Sequence, residues 1–302
     1  MPKHAVPVRM VALDLDGTLL THHSSISPLT RQAIAEAVAH GVVVLPATGR
    51  PLANLPPIVA QLPGIRYAIT SNGAAVWDLG NDPLGCVYSR YSNAAEWETS
   101  EPACLVHNVF PVEKAREVFS LFHEYSGEMS IFSDGHSIKD LHGIECLTAR
   151  FEKKHSTEAQ QPNDGRFVVV RDLAEWMSRN AHEIEKFCMF FNTVEEAQEA
   201  LPRFLKLEGV EVVQGSPENI EVTARNVDKG NALLALADIL GIPHEATAAV
   251  GDSENDRAML EKAGVAAVMA NGMPHIKELA DLVSENDCDN DGVAELFRRL
   301  KL

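Results

Sequence analysis

Cysteine, positive charge and long apolar runs are all scarce in this chain of 302 residues, and each scarcity closes off a class of answer. The five cysteines, Cys86, Cys104, Cys146, Cys188 and Cys288, are odd in number, far apart and never spaced C-x-x-C. Such spacing supports neither a disulfide framework nor a zinc site, and it points to a reducing compartment. Lys and Arg number 26 against 43 Asp and Glu, a formal charge of −17. The clustered cations that would grip nucleic-acid phosphates or an anionic membrane are therefore missing. No stretch approaches the roughly 18 consecutive apolar residues of a membrane span, and Met1 to Arg9 lacks the apolar core of a signal peptide. A cytoplasmic protein acting on small molecules is the expectation. No G-x-x-x-x-G-K-[ST] loop occurs, which removes the P-loop kinases and ATPases.

What is present is organised around Val11-Ala-Leu-Asp14-Leu-Asp16-Gly17-Thr18-Leu19-Leu20. An apolar run reading as a buried strand ends in two aspartates one residue apart and breaks at a glycine. The chain curls at Gly17, so both carboxylates can reach one site at the carboxyl end of a strand, where open parallel sheets bind ligands. A calcium loop counted from Asp14 fails, because Leu19 and Ser25 stand where glycine and glutamate are required.

Ser27-Pro28 then predicts a helix start, and Gly41 its stop, before the apolar run Val42 to Leu45. Strand, helix and strand within about forty residues make a βαβ unit and imply a parallel sheet. The second strand ends in Thr48-Gly49-Arg50, a hydroxyl, an unobstructed amide and a guanidinium suited to an anion. A third, Tyr67 to Thr70, ends in Ser71-Asn72-Gly73-Ala74. From about Leu84 the pattern changes: helices are expected over 111–125 and 193–207, and short strands over 129–132, 167–170, 186–191 and 210–213. That mixture predicts an inserted α+β domain, with 80–109 left unassigned.

Alternating α/β order returns at Asp228-Lys229-Gly230, which opens an amphipathic helix. A cation in a first helical turn opposes the helix dipole by about 0.3–1 kcal/mol, and an anion beside Lys229 would offset that. The strand Thr247 to Val250 ends in Gly251-Asp252-Ser253-Glu254-Asn255-Asp256, where Ser253 and Asp256 also form a capping-box pattern. Strands over 265–269 and 282–283 and a C-terminal helix from Asp291-Gly292 complete the sheet. Stacked at one edge, Asp14, Asp16, Asp252 and Asp256 would gather four carboxylates, which requires a cation. Oxygen-only ligands point to Mg²⁺, leaving Lys229, Thr48 and the amide of Gly49 for phosphate oxygens.

In this order, DLDGT, Thr48-Gly49-Arg50, Lys229-Gly230 and Gly251-Asp-x-x-Asn-Asp256 resemble the four signature motifs of the HAD (haloacid dehalogenase-like) superfamily. Ser71-Asn72-Gly73-Ala74, the large insertion and Asp291-Gly292-Val293 look like its Cof-type branch of sugar-phosphate-like phosphatases. The resemblance implies a Rossmann-like α/β parallel-sheet core over 1–83 and 217–302, with an inserted α+β cap over 84–216 acting as a specificity lid. It implies that Asp14 is the nucleophile, forming an aspartyl phosphate, and Asp16 the general acid and base. It further implies that Asp14, the Asp16 main-chain oxygen and Asp252 hold Mg²⁺, that Asp256 steadies its water shell, and that Leu15, Thr48, Gly49, Lys229 and Asn255 bind phosphate. The expected protein hydrolyses a small phosphorylated metabolite as a monomer or small homo-oligomer. A phosphomannomutase-like phosphotransferase and a non-catalytic phosphometabolite sensor are the alternatives. In the cap, His136, His142, Arg150, Lys153 and Lys154 are possible contacts for the leaving group, each read first as a solvated surface side chain.

Overall fold

The computed structural model describes residues 6–153 and 165–302. Fourteen strands are formed among them: β1 Met10–Leu13, β2 Val43–Pro46, β3 Tyr67–Thr70, β4 Ala75–Asp78, β5 Ala103–His107, β6 Gly127–Ser133, β7 His136–Asp140, β8 Phe167–Val170, β9 Ile184–Phe191, β10 Val210–Val213, β11 Asn219–Ala224, β12 Thr247–Gly251, β13 Val265–Val268 and β14 Leu282–Val283. Lys154, the side chain of Lys153 and residues 1–5 of the expected leaderless N-terminus lie outside the described residues. Among the described residues no helix is long and apolar enough to cross a membrane.

The core is a parallel sheet in the order β14-β13-β12-β1-β2. All four residues of β1 are buried, as a strand covered on both faces must be, which is why it reads as an uninterrupted apolar run. Helix Pro28–Ala39 starts where expected, its first turn closed by the Ser27 hydroxyl accepting from the amide of Thr30 at 3.1 Å. β2 passes the sheet on to β3 through the Thr48 amide, which donates to the Ile69 carbonyl at 2.9 Å. β3, β4 and β5 then run as an antiparallel meander.

The second sheet, β10-β11-β9-β6-β7-β8, is antiparallel except for β7 with β8. Successive strand side chains face opposite ways. On one face Met129, Ile131, Phe187, Met189, Phe191, Ile220 and Val222 pack into an apolar cluster with Phe122, Met177 and Phe204 of the covering helices. The alternate residues, Glu128, Ser130, Lys186, Cys188, Asn219 and Glu221, look the other way, over the carboxyl edge of the core sheet.

Pairing moves two segments across the expected boundaries at 83/84 and 216/217. β5 bonds to β4 and extends the core side, and β11 bonds to β9 and β10 within the second sheet. Ladder partners decide membership, and partners distant in sequence leave no local mark. The unassigned 80–109 stretch contains helix Pro83–Tyr88, capped by Asp82, as well as β5.

Helix Lys229–Ile239 lies so close to helix Arg257–Lys262 that a Cβ on Gly230 would stand 2.2 Å from the carbonyl oxygen of Ala258. Gly230→Ala must therefore push the two helices apart, at about 1–3 kcal/mol. A lower urea midpoint with an unchanged slope is expected, and a variant as stable as the parent would mean that this approach is not real.

Candidate active site

The loops after β1, β2 and β12 and the start of the helix at Lys229 meet above the carboxyl edge of the core sheet. Asp14 follows β1 directly and is 4% exposed, while Lys229 and Asp256 are fully buried. The Lys229 ammonium donates to Asp14 Oδ1 at 2.6 Å and to Asp256 Oδ1 at 2.7 Å. The other oxygen of Asp256 accepts the main-chain amides of Asp252 and Ser253 at 2.9 and 3.1 Å. Capping the turn and fixing the lysine are thus tasks of one carboxylate, and the capping-box pattern is realised as well.

Asp252 accepts the Thr18 hydroxyl at 3.1 Å. It sits against the turn at Gly17, whose φ of +82° suits glycine and where a Cβ would come within 2.6 Å of Asp252 Oδ2. Asp14, Asp252 and Asp256 offer oxygens that all lie within 4.8 Å of one another. The expectation of four converging carboxylates is corrected at Asp16. Its side chain is 62% exposed and turned away to Arg50, which holds it through two hydrogen bonds of 3.0 and 2.6 Å. A bidentate guanidinium fork outcompetes a crowded, already negative cluster.

Of the other expected residues, Thr48 is buried and its hydroxyl accepts the amide of Arg50 at 3.1 Å. Gly49 and Asn255 line the same cavity as Asp14, and Asn255 accepts the Ser253 hydroxyl at 2.7 Å. Leu15 buries its side chain completely, and its carbonyl accepts the amides of Thr18 and Leu20, closing the turn after Asp14.

Burial and the neighbouring Asp256 carboxylate drive Asp14 well above the ordinary carboxylate range, against the opposing pull of Lys229. The same two causes push Asp252 up to about 7. Burial alone would lower the Lys229 ammonium, but Asp14 and Asp256 hold it above its ordinary value. Three carboxylates thus share one ammonium, and the donor set consists of oxygens. Such a set fits a hard divalent cation, which would supply the missing positive charge.

The cavity over this cluster encloses about 310 Å³ and is roofed by the polar face of the second sheet. Lys186, absent from the sequence-based site, donates to the carbonyl of Gly49 and to Glu221, the latter at 2.9 Å. Glu221 also accepts the Asn72 amide at 2.6 Å, and Glu185 accepts the Ser71 hydroxyl at 2.7 Å. These contacts join the two sheets across the mouth of the site. In β11 the alternation of Asn219, Glu221 and Thr223 with Ile220 and Val222 was the local signal, and it marks a polar face without saying what that face meets. Arg150 lines the cavity, over the ring of Phe190 at 3.6 Å and paired with Glu128 at 2.7 Å, so of its two readings the structure favours the possible contact over the solvated surface side chain. His142 is exposed, and neither it nor His136 is among the lining residues.

An α/β core with this carboxyl-edge constellation, roofed by a second sheet, belongs to a defined class. A family profile described as haloacid dehalogenase-like hydrolase matches residues 11–297, and the chain belongs to that family. Phosphatase YwpJ of Bacillus subtilis (strain 168) is 27% identical over 97% of this chain and 100% of its own length. The 5-amino-6-(5-phospho-D-ribitylamino)uracil phosphatase YcsE of the same organism is 28% identical over 97% and 96%. A solved haloacid dehalogenase-like hydrolase from B. subtilis superposes with a TM-score of 0.79 at 26% identity, covering 97% of this chain and 100% of that one. The chain's activity is that of a phosphatase.

Proposed function

We propose that the chain hydrolyses a small, sugar-phosphate-like phosphomonoester with Mg²⁺, through an aspartyl phosphate on Asp14. The supporting observation is the buried Asp14 carboxylate held 2.6 Å from Lys229 at the floor of a cavity wide enough for a metabolite. In the first step an Asp14 oxygen attacks phosphorus, the bond to the leaving oxygen breaks, and Asp16 gives that oxygen a proton. In the second, Asp16 takes a proton from water, the water oxygen attacks phosphorus, and the bond to Asp14 breaks to release phosphate. Lys229, Thr48, the Gly49 and Leu15 amides and Asn255 hold the non-bridging oxygens.

Mg²⁺ would be held by Asp14, the main-chain oxygen of Asp16 and Asp252, with Asp256 behind them, and would neutralise charge developing on the phosphoryl group. The second sheet, with its helices, acts as the lid that excludes water and meets the leaving group. Substrate choice then rests with its polar face.

The test is p-nitrophenyl phosphate hydrolysis with Mg²⁺ and with EDTA, paired with melting curves at pH 5.5 and 8. A carboxylate whose folded pKa is raised favours the folded state at low pH, and that contribution is lost as pH climbs from about 4 through the value near 7 at Asp252. A divalent ion needs the deprotonated form, so its affinity rises over the same window. Mg²⁺ should raise the melting temperature more at pH 8 than at pH 5.5 and restore turnover lost to EDTA. Turnover indifferent to EDTA, or a larger thermal shift at pH 5.5, would count against the reading.

A further inference from the structure

Behind the catalytic turn, His22, Cys288 and Asp289 bring an imidazole nitrogen, a thiol sulfur and a carboxylate oxygen within 4.8 Å of one another. Two loops supply them, and each is held by its own hydrogen bonds. In the first, the Thr21 amide donates to the Ser25 carbonyl at 2.9 Å, and the two hydroxyls meet at 2.7 Å. In the second, the Cys288 amide donates to Asn271 at 3.1 Å and the Asp289 amide to Asp287 at 3.0 Å. Between the loops the His22 amide donates to Asp289 Oδ1 at 2.9 Å. His22 Nδ1 lies 2.6 Å from Asp289 Oδ2 and 3.7 Å from Cys288 Sγ. His23 stands near enough to act electrostatically on Asp289. His22 and Asp289 reach solvent with 66% and 39% of their side chains, whereas Cys288 is buried.

We propose that His22, Cys288 and Asp289 form a second metal site, of the Zn²⁺ class, distinct in chemistry from the all-oxygen site at Asp14. Thiolate and imidazole are ligands for borderline, zinc-like ions, while Mg²⁺ prefers oxygen. At ordinary zinc bond lengths the nitrogen–sulfur edge of a tetrahedron is about 3.6 Å and the nitrogen–oxygen edge about 3.3 Å. The first is already met at 3.7 Å, and the second needs the exposed His22 and Asp289 side chains to part by about 0.7 Å. On binding, the Cys288 thiol releases its proton to solvent, and the His22 ring keeps its hydrogen on Nε2 so that Nδ1 offers a lone pair. Asp289 Oδ2 gives up that imidazole and takes the ion, and water completes the tetrahedron.

An ion here ties the loop that follows Asp16-Gly17 to the loop that precedes the C-terminal helix. Asn271, which receives the Cys288 amide, itself donates to the Gly17 carbonyl at 2.7 Å, so the staple bears on the catalytic turn from behind. The inference does not depend on the proposed reaction, and its test reads metal binding without substrate.

The experiment is Co²⁺ titration of the full chain in saturating Mg²⁺, followed by absorption. A near-ultraviolet thiolate-to-cobalt charge-transfer band is expected at one equivalent, displaced by Zn²⁺. Cys288→Ser should abolish the band, and His22→Gln, at an exposed position, should weaken binding by about tenfold or more. Asp252→Asn should leave it intact, as should Cys146→Ser, which removes the thiol of another thiol–imidazole pair, 3.6 Å from His142. No band, a band that survives Cys288→Ser, or full affinity in His22→Gln overturns the proposal.

Discussion

Asp14→Asn is expected to lower turnover of p-nitrophenyl phosphate by about 10⁴-fold or more, and Asp16→Asn by about 10²- to 10⁴-fold, with different kinetic signatures. The difference follows from where the two carboxylates sit. Asp14 is buried against Lys229 and in the proposed reaction is the group that attacks phosphorus, whereas Asp16 is largely exposed at the cavity mouth beside Arg50. An asparagine at 14 has no nucleophilic oxygen, so both steps are lost together. An asparagine at 16 spares the first step for p-nitrophenyl phosphate, because nitrophenolate leaves without a donated proton. It stalls the second, where water must lose one. Rapid mixing of the Asp16 variant should therefore give a burst approaching one nitrophenolate per active site, with acid-stable label on residue 14, and the Asp14 variant should give neither. A burst in Asp14→Asn, or turnover by it within tenfold of the parent, would remove the covalent step. Misfolding will not imitate the result. Burial and Asp256 already disfavour the Asp14 charge, so its removal relieves repulsion in the metal-free fold.

The parts of the site that the sequence made legible are those written locally. β1, β2 and β12 are short, largely buried runs that end at a glycine or within four residues of one, among polar side chains, and Asp14, Thr48 and Asp252 are found on those turns as read. The Ser27 hydroxyl and Pro28 placed the first helix for the same reason, since a cap and its helix share a few residues, and the helix from Lys229 was read from its amphipathic pattern. What escaped depends on partners far apart in the chain. Glu221 faces the site because β11 pairs with β9 and β10, and nothing between residues 217 and 224 states that. The retreat of Asp16 from the carboxylate cluster depends on Arg50, whose side chain was read only as an anion binder. Spacing rules for zinc look for ligands a few residues apart, so they excluded a site whose imidazole and thiol are separated by 266 positions. The overlooked helix Pro83–Tyr88 is a different case: Asp82 and Pro83 are a local start signal, and the signal was simply not used.

Lys229→Met is expected to destabilise the metal-free protein by about 3–5 kcal/mol at pH 8, the range for breaking a buried ion pair from one side. The lysine is fully buried and is hydrogen-bonded to both Asp14 and Asp256, so a methionine of similar length fills the space but leaves buried carboxylates facing one another. The loss should shrink on acidification. Without the ammonium, the pull that lowers Asp14 is gone, and its folded-state pKa moves still further above the unfolded value. The variant fold therefore takes up protons over a wider window than the parent, and its stability falls more steeply as pH rises from about 4. At pH 5.5 Asp14, raised by burial, is closer to its neutral form than at pH 8, and parent and variant should lie closer together. The double variant Lys229→Met/Asp256→Asn removes one stranded charge and should be less unstable than the two single losses added, by about 0.5–3 kcal/mol. Urea unfolding of the four proteins in EDTA at both pH values measures all of these quantities. If Lys229→Met stays within about 0.5 kcal/mol of the parent at pH 8, below what a buried, doubly paired cation must contribute, the ammonium is not what reconciles Asp14 with Asp256. The buried Asp14 carboxylate would then need some other source of positive charge.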